Sequence, residues 1–62
     1  MTRNMEIFLA LVPLAGWRRS VPPTWRDELR EALSGGLVKV GWGGIIELTE
    51  TGDAAVAKSR ST

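Results

Sequence analysis

Two hydrophobic periods run along this chain, one helical and one of strand type. Near the start, Ile7, Leu11 and Leu14 fall at i, i+4 and i+7, with Phe8 and Val12 widening the stripe. That spacing predicts a helix over residues 4–12. Asn4 is placed to cap it. Pro13 should end or kink it, because proline crowds the preceding turn and lacks an N–H. A buried strand over residues 7–12 is the alternative. Residues 15–23 read as an irregular connection, with Gly16 as a helix stop and Pro22-Pro23 opposing regular structure. Trp17, within it, is expected to cover the edge of the core. The helical period returns with Trp25, Leu29, Ala32 and Leu33 at i, i+4, i+7 and i+8. It predicts a helix over residues 24–34, with Thr24 as cap, Asp27 in the first turn and Gly35 as a left-handed stop.

Beyond Gly35 the period changes to two. Val38, Val40, Ile46 and Leu48 alternate with polar positions around Trp42-Gly43-Gly44. A two-residue loop would set Lys39 opposite Leu48 and mix the faces. A three-residue loop pairs Val38 with Leu48, Lys39 with Glu47, Val40 with Ile46 and Gly41 with Ile45. One face is then wholly apolar, and the other carries an opposite-charge pair, a contribution of about 0.2–1 kcal/mol. Such a loop wants a left-handed last residue, which Gly44 supplies. A slip of one residue would turn the apolar face to water, so the three-residue loop is preferred. It leaves Trp42 at the tip. Thr49 then reads as the cap of a short helix over residues 50–57, with Glu50 and Asp53 in its first turn and Lys58 near its end. Residues 59–62 are expected to fray. The pattern is that of one α+β domain spanning residues 1–62.

Composition narrows the chemistry. The 62 residues include no cysteine and no histidine. Disulfide and zinc-finger staples are excluded, as are a cysteine nucleophile and a histidine base. No clustered acidic pattern suggests a metal, and no cofactor motif is present. A chain this short buries only about 60% of its unfolded surface, so self-association as a homodimer is an expected route to more. The apolar run over residues 7–15 is too short to span a bilayer. Glu6 abuts it and no cleavage motif follows it, so it reads as core and the protein as cytoplasmic, without a membrane partner. Net charge is +1, which gives no global nucleic-acid signal.

The run from Trp25 through Ser34 into Gly36-Leu37-Val38, followed by Leu48-Thr49-Glu50-Thr51-Gly52, resembles the end of a winged helix-turn-helix domain. In that family a helix leads through Gly-Leu-Val into the wing, and a Leu-Thr-x-x-Gly run returns from it into a final helix. The resemblance covers residues 25–56, and residues 5–14 more weakly. It implies a helix–loop–helix–hairpin–helix order. One departure is visible. Family members carry a further helix where this chain has residues 15–23, and two prolines oppose one here. Either that helix is reduced to a turn, or the fold is winged-helix-like without a helix-turn-helix.

The resemblance implies a small DNA-binding transcription regulator, with residues 24–34 as recognition helix. Arg18, Arg19, Arg26, Arg30, Lys39 and Trp42 would then contact double-stranded DNA, since arginine reaches both phosphates and guanine edges. The bland alternative for Arg26 and Arg30 is a solvated face paired with Asp27 and Glu31. Arg18-Arg19 has no adjacent acid. Trp42 either reaches out to a partner or folds back on Leu37 or Trp17. The competing function is protein docking through the hairpin, by Trp42, Leu37 and Ile45, as in a small phage or mobile-element accessory or inhibitor protein. Catalysis has no support: Ser20, Ser34 and Thr49 lack an activating base, and the glycines lack the strand–loop–helix setting of a phosphate loop.

Overall fold

A computed structural model describes residues 2–19 and 21–60. Three helices and one hairpin follow in the order α1 (Arg3–Ala15), α2 (Arg26–Ser34), β1 (Val38–Val40), β2 (Ile46–Leu48) and α3 (Glu50–Arg60). This is the α+β, winged-helix-like order expected from the sequence. Among the described residues no helix is long and apolar enough to cross a membrane.

Helix α1 is longer than its periodicity suggests, at both ends. Thr2, not Asn4, is the cap: its Oγ1 accepts the Met5 N–H at 3.2 Å. Pro13 lies inside the helix, which runs on to a left-handed Gly16. Only Leu9 loses a bond partner to the missing proline N–H, and the helix ends within a turn, so the cost stays local. The buried face also differs from the expected one. Met5, Phe8, Leu9 and Val12 point inward. Ile7 and Leu14, taken from the sequence as core, remain 41% and 82% exposed. Residues 7–15 are apolar on every side of the helix, so periodicity alone could not orient it.

The connection after α1 contains no α-helix among its described residues. Residues 23–25 form one 3-10 turn, begun by the Trp25 N–H bonding to the Pro22 carbonyl at 2.9 Å. Thr24 sits inside that turn and makes no side-chain cap, which corrects the expected start of α2. Proline has no N–H to satisfy, so Pro23 at the front of the turn removes the need for one. Ser20 lies outside the described residues.

Helix α2 ends in a Schellman motif. Leu37 N–H bonds to Ala32 O at 2.8 Å and Gly36 N–H to Leu33 O at 3.2 Å. The left-handed residue is Gly36, at φ +71°, and not Gly35, at φ −85°. Leu37 therefore turns back onto the core instead of entering the strand pleat.

The hairpin register is the expected one throughout: Val38↔Leu48, Lys39↔Glu47 and Val40↔Ile46. Gly41 N–H bonds to Ile45 O at 2.7 Å, and Gly44 closes the loop at φ +80°. Val38 and Ile46 are buried and Leu48 packs beside them, while Val40 lies past the edge of the core. The Glu47 carboxylate folds over Gly41, where it would clash with any β-carbon.

Thr49 joins the wing to α3 with both halves of its hydroxyl. Oγ1 accepts the Gly52 N–H at 3.1 Å, and it donates to Gly36 O at 2.5 Å. Gly52 lies against the Leu37 carbonyl, where a β-carbon would overlap the oxygen. The Leu-Thr-x-x-Gly run thus has a physical reading: a leucine on the core, a cap tied to the end of α2, and a glycine that lets two backbones touch. Helix α3 continues to Arg60, beyond the expected residue 57. Ser59 does not fray, because its Oγ donates to Glu6 Oε1 at 2.6 Å and pins the helix to α1. Residues 61 and 62 lie outside the described part.

The core gathers on Phe8. Its ring stacks on Trp17, with centroids 5.5 Å apart and planes 13° from parallel, and tilts against Trp25 at 5.8 Å. Each aromatic pair contributes about 0.5–1.5 kcal/mol beyond area burial. Trp17 and Trp25 therefore serve the core, as read from the sequence.

Candidate functional site

Residues 17–19, expected to be irregular, run along the free edge of β2. Ile46 N–H bonds to Trp17 O at 2.9 Å and Arg19 N–H to Gly44 O at 2.6 Å, with Arg18 bridged antiparallel to Ile45. The hairpin thus has an isolated antiparallel bridge beside its tip, outside its two strands. Strand edges carry unpaired N–H and C=O groups, and this segment satisfies those at the start of β2. The sequence trace of it is slight. Trp17 and Val21, both turned to the core, bracket a stretch of polar residues.

The consequence is the placement of Arg18 and Arg19. Both are exposed. Arg19 holds φ +61°, in the left-handed region, which costs a non-glycine residue about 1 kcal/mol or more. That turn lays its side chain over Gly44, with Cγ 2.7 Å from where a β-carbon would stand. Gly44 has to be glycine both for its φ and for this approach. The basic pair and Trp42, which are 23 residues apart from Arg19 to Trp42 in sequence, so belong to one end of the hairpin.

Trp42 is 97% exposed. It does not fold back on Leu37 or Trp17, the alternative left open by the sequence. An indole held in water by a turn with Gly43 and Gly44 behind it forfeits roughly 2–3 kcal/mol of burial. Lys39 is exposed on β1, opposite Glu47. The charge around this end is +3 from Arg18, Arg19 and Lys39 against −2 from Glu47 and Asp53, which line the groove beside Ile45.

The other proposed contacts lie elsewhere. Arg26 and Arg30 are exposed on α2, which packs on α1 and carries Asp27, Glu28 and Glu31 as well. Two cations against three acids leave the helix at −1. Of the two apolar residues proposed for docking, Leu37 is half-buried against the core and lines an open groove of about 610 Å³ with Thr2, Met5, Glu31 and Ala55. Ile45 is half-buried beside Arg18, on an open groove of about 410 Å³ that Val12, Gly16, Leu48 and Asp53 also line.

Compared with models of known families, with curated proteins and with solved structures, the chain matches none.

Proposed function

We propose that this protein is a small winged-helix-like DNA-binding regulator that contacts duplex DNA with its wing tip rather than with α2. The observation that carries this reading is the seating of Arg19 over Gly44, which gathers Arg18, Arg19 and the exposed Trp42 at one end of the hairpin. Cations supply the sequence-independent hold on phosphates, while an exposed apolar ring beside them suits insertion against sugars and base edges in a groove. Lys39 adds a third cation. Arg26 and Arg30 play a lesser part, because the acids around them repel a polyanion. No catalytic role and no cofactor belong to this reading, and a cytoplasmic location goes with it.

Binding of a mixed-sequence duplex, followed by fluorescence anisotropy from 20 to 200 mM salt, tests it. Two or three phosphate contacts predict a slope of log K against log salt of about −2 to −3. Replacing Arg18 and Arg19 together by alanine should reduce the magnitude of the slope by about 2, whereas the same change at Arg26 and Arg30 should leave most of it. Absence of binding at the lowest salt would rule the regulator reading out.

A second reading, docking of a protein partner through the hairpin, is favoured by one observation: a tryptophan left almost wholly in water is the type of side chain that anchors protein interfaces. It predicts that Trp42→Ala abolishes partner capture while DNA binding is absent or independent of salt.

A further inference from the structure

The outer face of α1 is apolar and unpartnered. Ile7, Leu11 and Leu14 stand at i, i+4 and i+7, with Leu14 82% and Ile7 41% exposed and Leu11 half-buried. No charged residue occurs from Ile7 to Ala15. On the same side, a groove of about 280 Å³ opens between α1 and α3, with Ile7, Ala10 and Val56 in its wall and Arg3, Glu6 and Arg60 at its rim. Glu6 is held at that rim by its bond from Ser59.

We infer that this face binds a second copy of the chain, as an antiparallel pair of α1 helices. The groove and the knob that fits it are on one helix. Leu14 protrudes toward one end of the face, and the Ile7–Ala10 wall of the groove lies toward the other, roughly 8 Å away at 1.5 Å per residue. A two-fold axis through the level of Leu11 lies midway between them. It places Leu14 of each copy over the groove of the other and sets Leu11 against its own counterpart. This is the self-complementarity that an isologous contact requires. A face without charge meets its own copy with no like-charge cost, whereas a partner recognised by charge would find nothing to pair with between Ile7 and Ala15. The area is small. A 13-residue helix is about 20 Å long and 10 Å wide. Two such faces bury about 400 Å² in total, and the α3 rim adds little, which is the size of a weak, transient contact and not of a permanent one. The dimer is therefore concentration-dependent. It stands independently of what the wing binds, since Trp42, Arg18 and Arg19 take no part.

Sedimentation equilibrium of the full chain, from about 10 µM to 1 mM, tests the inference. Wild-type protein should pass from monomer to dimer over that range. Leu14→Glu, at a position that the fold leaves in water, should stay monomeric with an unchanged circular dichroism spectrum. Trp42→Ala should still dimerise. Because the chain has no cysteine, single cysteines give the orientation. Leu11→Cys should oxidise to a disulfide-linked dimer. Leu14→Cys should not, its two sulfurs being about 9 Å apart along the axis. A monomeric wild type at 1 mM, a dimer that survives Leu14→Glu, or faster cross-linking at 14 than at 11 would overturn the proposal.

Discussion

Gly52 shows how much one residue can decide in a chain this size. It occupies the third position of α3, where glycine is a poor helix former, costing about 1 kcal/mol relative to alanine. The cost is accepted because the Leu37 carbonyl fills the space of a side chain. Alanine at 52 gains propensity but must separate the end of α2 from the start of α3. The clash wins: it is with backbone, which cannot rotate away, and overpacking typically costs about 1–3 kcal/mol. Total stability for 62 residues is about 3–9 kcal/mol. Gly52→Ala should therefore lower the urea midpoint by a large fraction, and an unchanged midpoint would refute the close approach. Trp42 is the opposite case. Its side chain contributes little to the fold, so Trp42→Ala should leave the midpoint nearly unchanged, within about 0.5 kcal/mol in stability.

Among the elements, legibility followed the range of the forces involved. The hairpin could be read to the residue because its register depends on pleat parity and on the left-handed glycines of its turn, Gly43 and Gly44, both local. The Thr49 cap was equally local. The end of α2 was off by one, since Gly35 and Gly36 both accept a positive φ and the choice falls to the Schellman bonds from Leu37 and Gly36. Gly36→Ala should accordingly cost about 1 kcal/mol or more through its φ of +71°, and Gly35→Ala much less. Thermal melts of the two variants would reveal an inverted order if the sequence expectation, and not the structure, were right. The orientation of α1 was not legible, because a helix apolar on all sides carries no directional signal until α3 and the sheet choose a face. Nor was the strand-like course of residues 17–19, which depends on β2, some 28 residues later. That pairing is what brings Arg18 and Arg19 to the wing. The candidate residues were thus all visible in the sequence, but their division into a wing-tip group and an α2 group was not.

At the scale of the whole molecule, the fold is small but fully packed. Its radius of gyration is 10.6 Å, the value expected of a folded chain of this length, about 10.6 Å. Among the described residues eight apolar side chains are buried. Three aromatic rings tie α1 to the connection and to the turn before α2, and one threonine ties α2 to α3. The wing projects beyond that core, with its cations and its tryptophan at the far end. Under the proposed function this end, and not α2, meets DNA. The most direct test is a ¹H–¹⁵N correlation spectrum of wild-type protein titrated with duplex DNA at low salt. The three indole N–H signals report on the three tryptophans separately. Contact through the hairpin tip should shift the Trp42 indole and the amides of Arg19, Gly43 and Gly44 together, reversibly as salt is raised, while Trp17 and Trp25 stay in place. Shifts confined to Arg26, Arg30 and their neighbours on α2, or no shifts at all, would contradict it.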